Sequence, residues 1–257
     1  MDVLSSLSRW IHVFAGIVWI GMLYFFNFVN GPFQGTQDGE TKKKINPELL
    51  PRALYFFRWG AAWTWFTGVL LLLLVFYHGA ITLEPETSWG GGAIAMIAVT
   101  FLSPFVYDAL HKSPLGKDPK TFGGACFVLV AIVICLMQYF GFTYRAYNIH
   151  IAALLGTIMA FNVWYRIWPA QQKIVRAVKE GTAPDAALVA LAGARSRHNT
   201  YMSVPLVWGM LNQHTVTTGT VLGIPSAYGY VLFLLVTLVG WHLVFQLYRK
   251  AGQVKGF

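Results

Sequence analysis

Residues 7–29 read LSRWIHVFAGIVWIGMLYFFNFV, and this stretch decides the fold. A bilayer core takes about 20 apolar residues of helix, so the run is long enough to span one. It is too long for a signal-peptide core and carries no A-x-A-like cleavage site, so it is read as retained. One imidazole, His12, sits inside it, about a turn and a half from its outer end. An ionisable side chain within a spanning helix marks a functional site by default; the plainer alternative is a histidine bonded to a neighbouring backbone or hydroxyl. Gly16 follows one turn later and leaves that face of the helix without a side chain.

The rest of the chain agrees with a membrane solvent. Of its 257 residues 56% are hydrophobic and only 11% charged, a composition of polytopic membrane proteins rather than of a soluble domain. Cys126 and Cys135 share one apolar stretch and no C-x-x-C-H occurs, which excludes covalent c-type haem and argues against a disulfide framework.

Apolar runs place seven helices: 7–29, 52–77 with Pro47 and Pro51 ahead of it, 91–110 with Pro104 inside, 122–142, 147–168, 198–214 with Pro205, and 227–248. Residues 169–197 form an amphiphilic stretch, with Ile174, Val175 and Val178 to one side, Lys173, Arg176 and Lys179 as its basic residues, and an alanine-rich helix after Pro184. Neither part is apolar enough to span, and both suit the cytoplasmic interface. The expectation is an all-α polytopic bundle, one membrane domain over 1–257.

The charge of +9 is a topology signal. With the N-terminus outside and the C-terminus cytoplasmic, every basic residue except Arg9 and Arg145 faces the cytoplasm, as positive-inside loops require. That removes nucleic acid as a partner, leaves membrane lipid, and places the chain in a bacterial inner membrane as a multi-pass protein.

This topology sorts the seven histidines by depth. His12, His78, His150 and His214 fall near the outer ends of their helices; His111, His198 and His242 fall towards the cytoplasm. A bis-histidine haem needs two imidazoles at one depth on different helices, each about 2 Å from iron. His12 and His150 are the deepest outer pair, and the missing side chain at Gly16 gives a flat porphyrin clearance against the first helix. The inner group could hold a second haem or a substrate, so one haem b or two are expected. His78 and His111 at helix ends suit solvation; Asp108, three residues before His111, suits capping or solvation, with a proton relay as the alternative. Trp19, Trp65 and the two cysteines suit packing.

The most specific stretch is residues 196–214, SRHNTYMSVPLVWGMLNQH. His198-Asn199-x-Tyr201, then Pro205, then Asn212-Gln213-His214 is more polar than apolar packing needs. With His12-x-x-x-Gly16-x-x-Trp19-x-Gly21 in the first helix, it resembles the membrane domain of the bacterial membrane-bound urate hydroxylases, over nearly the whole chain. Arg58 and Thr67-Gly68 are also similar to a wider group of copper-resistance membrane proteins and the membrane-bound protoporphyrinogen oxidase. The first resemblance implies oxidation of urate to 5-hydroxyisourate, with electrons taken by a cytochrome c domain fused at the C-terminus. It makes His12, His150, His198, His214 and His242 haem or active-site positions, with His12 and His150 as iron ligands. Asn199, Tyr201, Asn212 and Gln213 become polar contacts to substrate, and Arg197 is a further candidate contact, able to attract an anion or simply anchor the helix.

Two departures stand out. The chain stops at Phe257 with no fused cytochrome, so a separate cytochrome c or a larger electron-transfer complex is the expected acceptor. Residues 212–215 read NQHT, where the family pattern has Ser-Asn-His followed by an aromatic residue and proline, which leaves the substrate open. The expectation is a haem-b oxidoreductase acting on urate or a similar small reductant. The alternative is a non-catalytic haem-bearing or structural subunit of a respiratory or photosynthetic complex. A transporter fits worse, because no paired interrupted helices occur in two halves.

Overall fold

The computed structural model describes residues 2–212, 214, 216–217, 220–221 and 224–254. It is an all-α bundle; its only strands among those residues are three two-residue segments, Val216–Thr217, Thr220–Val221 and Ile224–Pro225, paired antiparallel. Six helices among those residues are long and apolar enough to cross a membrane.

The first helix runs further than its apolar core suggests. α1 (Asp2–Tyr24) passes through a π-helical turn at Phe25–Asn30 into α2 (Gly31–Thr36), giving a span of Val3–Thr36. In the wide turn the Gly31 N–H reaches back to the Phe26 carbonyl. The same geometry recurs at Asn162–Ile167, where the Trp168 N–H reaches the Val163 carbonyl. Both turns stand just ahead of a proline, Pro32 and Pro169. A proline ring clashes with the carbonyl four residues before it, and one extra residue in the turn swings that carbonyl aside.

Aspartates open three helices. Asp38 accepts from the Thr41 N–H at 2.8 Å and starts α3 (Gly39–Leu71), and Asp118 accepts from the Thr121 N–H at 2.7 Å and starts α5 (Pro119–Tyr139). Those bonds favour the ionised form and hold both carboxyls below the ordinary aspartate range. Asp185 accepts from the Ala187 N–H and opens α8 (Ala186–Asn212).

Three boundaries correct the sequence reading. α3 runs through Pro47 and Pro51 instead of starting after them, and continues through a second π-helical turn, Leu72–Tyr77. Spaced by four, the two prolines put their missing N–H groups on one stripe, which borders an open groove rather than the core. Residues 169–197, expected as two amphiphilic interfacial helices, join their neighbours in longer helices. Their first part, α7 (Trp168–Lys179), continues α6 (Tyr144–Phe161) through the Asn162–Ile167 turn, and their second part is the beginning of α8. α8 is therefore a seventh long helix; Arg195, Arg197, His198 and Asn199 in mid-course keep its hydropathy below that of the other six. α7 ends in a Schellman cap: Gly181 takes φ +71° and the Thr182 N–H reaches the Ala177 carbonyl at 2.9 Å.

α4 (Gly91–Lys112) and α9 (Gly229–Ala251) complete the long helices. The span Tyr144–Lys179 is 83% buried over its most apolar stretch, against 17–39% for the others. That stretch is enclosed by neighbouring helices, whereas the following α7 carries Lys173, Arg176 and Lys179.

The residues group into two compact units. One contains Val69–Ile158 and Val204–Gly240; the other contains Asp2–Gly68, Met159–Ser203 and the chain from Trp241. Small residues let backbones close up within each. A methyl group added at Gly60 would stand 3.0 Å from the Trp19 backbone nitrogen, and one at Gly209 would stand 2.7 Å from the Asn148 carbonyl oxygen.

Candidate functional site

In the unit containing α1 and α3, His12 is half-buried with its ring edge against α3. Its Nδ1 lies 3.2 Å from Thr67 Oγ1. That hydroxyl spends its own proton on the Trp63 carbonyl at 2.6 Å, so towards His12 it can only accept. The network therefore puts the His12 proton on Nδ1 and leaves Nε2 as the basic nitrogen. Gly68 completes the seat: a methyl group there would come within 2.9 Å of His12 Cε1. Gly16, expected to clear space for a porphyrin, has the Thr64 side chain 3.8 Å from where its methyl would be, an ordinary contact. Trp19, beside Gly60, is buried as packing requires, whereas Trp65 is 40% exposed.

His150 belongs to the other unit and is fully buried. Its Nδ1–H donates to the Ala146 carbonyl at 2.7 Å, and its Nε2 accepts from the Tyr77 hydroxyl at 2.8 Å. The rings of Phe76 and Phe142 stand edge-on to it at 6.4 and 5.1 Å. Phe142 is placed by the turn after α5, where Gly141 takes φ +80° and its carbonyl accepts from the Glu84 N–H at 2.8 Å. Tyr77 arrives at the end of the Leu72–Tyr77 π turn. A backbone-bonded Nδ1–H suits an axial ligand, but here the Tyr77 hydroxyl already holds the lone pair that iron would take.

The polar candidates divide between the two units. Asn199, fully buried, accepts from Asn162 Nδ2 at 2.9 Å and donates to the Met159 carbonyl at 3.0 Å. Arg195, also buried, donates to Asn162 Oδ1 at 3.4 Å. Tyr201 stacks on Tyr248 with centroids 6.1 Å apart, and the Arg197 guanidinium lies 5.4 Å from the same ring. Tyr248 in turn donates to Asn27 Oδ1 at 2.8 Å, and Asn27 donates to Ser196 Oγ at 2.8 Å. In the other unit Asn212 donates to the Tyr144 hydroxyl.

His214 is exposed in a turn after α8, His242 is exposed with Nε2 3.1 Å from Gln246, and His198 is half-buried. His78 is exposed; His111 stands edge-on to Phe122 at 5.4 Å; Asp108 pairs with Lys112 at 2.8 Å. Gln213 lies outside the described residues. No group of three or more His, Cys, Asp or Glu side chains converges among the described residues, so single imidazoles are the candidate ligands there. Sequence reasoning missed Tyr77, Asn27, Asn162 and Tyr248. Asn27 and Asn162 had one usable signal, an asparagine shortly before a mid-helix proline.

A family model described as urate oxidase N-terminal matches residues 39–255. The matched region takes in His150, His198, His214 and His242 and begins after α1, which carries His12. No curated protein matches the chain, and no solved structure does.

Proposed function

Because this chain belongs to the urate oxidase N-terminal family, we propose that it is a urate hydroxylase-related oxidoreductase of the bacterial inner membrane. It takes electrons from urate or a similar small reductant and passes them to a cytochrome c. Hydroxylating urate to 5-hydroxyisourate consumes one water and releases two electrons and two protons. A haem b would supply the one-electron carrier between that reductant and the cytochrome.

The observation that carries the reading is the His12 seat. Thr67 fixes the proton on Nδ1, Gly68 lets the ring lie close to α3, and Nε2 keeps its lone pair; an axial ligand needs that arrangement. His150 could offer its own Nε2 to iron only once the Tyr77 hydroxyl moves off it. Arg197 with the Tyr201–Tyr248 stack offers a cation beside aromatic faces, which suits a planar anion. The basic loops set the N-terminus outside in this reading.

The test is a reduced-minus-oxidised spectrum of the purified protein, followed by urate. A b-type band that urate reduces, and that His12→Ala abolishes or turns high-spin, supports the reading. A colourless protein refutes it. A band that urate never reduces, in a protein purifying with several other chains, favours the haem-bearing subunit instead.

A further inference from the structure

Away from His12 and His150, α3 and α7 enclose a groove of about 590 Å³ within one unit. Pro47, Pro51 and Leu54 give it an apolar side from α3; Trp168 lines it from the start of α7, and Arg176, Lys179 and Glu180 from the last turn of α7 and its cap. A third cation stands close by: the Lys43 ammonium would lie 3.1 Å from a methyl group at Gly181, just past the end of α7. Three cations thus gather where Glu180 is the single acid lining the groove.

The aromatic residues beside it mark its depth. Arg58, one turn beyond Leu54, holds its guanidinium 4.0 Å from the Trp168 ring and 5.7 Å from those of Tyr55 and Trp164. Tyr55 and Trp59 are about half exposed on the same helix. Tryptophan and tyrosine gather at the headgroup level of a bilayer. The groove therefore pairs an apolar wall with a cationic rim at that level.

We propose that this groove is a binding site for an anionic phospholipid, its phosphate held by Arg176 and Lys179 and its glycerol and upper acyl chain laid against Pro47, Pro51 and Leu54. The rings of Pro47 and Pro51 themselves supply the apolar surface on the side of α3 that lines it. Basic pockets between helices on one membrane side are the recognised form of such sites. The proposal does not depend on haem or on urate.

The experiment is native mass spectrometry of the full-length protein in mild detergent with equal dioleoylphosphatidylglycerol and dioleoylphosphatidylcholine. The expected result is retained phosphatidylglycerol, reduced about tenfold or more in Arg176→Gln/Lys179→Gln. It should be kept in Arg176→Lys/Lys179→Arg and in Lys117→Gln/Lys120→Gln, which removes the same charge elsewhere. Equal retention of phosphatidylcholine, or equal loss in the Lys117/Lys120 variant, overturns the site. Displacement of phosphatidylglycerol by millimolar inorganic phosphate also overturns it, by making the site one for a free anion.

Discussion

Gly68→Ala and Gly16→Ala separate two accounts of His12. Both glycines lie within a turn of the imidazole or of its partner, and both sit in helix interiors, where alanine gains about 0.5–1 kcal/mol over glycine. At Gly16 the added methyl meets the Thr64 side chain at 3.8 Å, an ordinary contact, so the substitution should be neutral or stabilising. At Gly68 it comes within 2.9 Å of His12 Cε1 and 3.4 Å of Nδ1. Carbon atoms in contact prefer about 3.5–4.0 Å, so the ring must retreat by about 0.6 Å or more. That retreat strains a 3.2 Å bond to Thr67 and misplaces Nε2 by about the tolerance a functional ligand allows. Overpacking of this kind costs about 1–3 kcal/mol, enough to reverse the helix gain. Thermal unfolding in detergent should show Gly68→Ala lower than the wild type and Gly16→Ala level or higher, and any haem spectrum should change in the first alone. A protein in which Gly16→Ala disturbs the His12 environment and Gly68→Ala does not would sink the assignment.

Tyr77→Phe leaves His150 Nε2 buried with no donor, a loss of about 1–2 kcal/mol, read as a lower denaturation midpoint; a curve superimposable on wild type counts against that bond. Asn162→Ala strips Asn199 Oδ1 of its donor and Arg195 of an acceptor, so a drop of about 2 kcal/mol or more is expected by the same measure. Gly209→Ala drives a methyl to 2.7 Å from the Asn148 carbonyl oxygen; backbone cannot yield, and poor recovery of folded protein is expected where Gly21→Ala, with nothing within 4 Å, folds normally. Asp118 gives a pH test. Its depressed carboxyl stabilises the fold above the ordinary aspartate value of 3.8 and loses that contribution as pH falls through its own lower value. The gap in thermal stability between wild type and Asp118→Ala should therefore be full at neutral pH and close in acid; a constant gap refutes the cap.

The helical class was legible because apolar run length is a nearly sufficient statistic in a bilayer, where unpaired backbone is prohibitive. Helix ends were less so. Pro47 and Pro51 resembled a boundary because proline usually is one, whereas α3 runs through both. Residues 169–179 looked like a helix of their own because Lys173, Arg176 and Lys179 dilute their hydropathy, although the backbone carries on into them from α6. At the site, His12 was visible as an ion in an apolar run, but its seat was not. Nothing in the sequence says that Thr67 and Gly68, 55 and 56 positions on, face it. His150 was likewise visible, while the tyrosine that occupies its nitrogen depends on a turn whose width no local propensity encodes.

The widened turns have one more consequence. An inserted residue rotates everything after it by about 100° around the helix axis, so a helix such as Tyr144–Lys179 does not keep one inward stripe from end to end. Asn162 faces Asn199 at the start of the turn, and beyond the turn the phase of the inward positions is reset. Removing a single residue between 162 and 167 would restore ordinary pitch at the expense of that reset, aiming Arg176 and Lys179 about a quarter-turn away from their present bearing. The extra residue works as a phase shifter, letting one continuous rod serve two sets of neighbours.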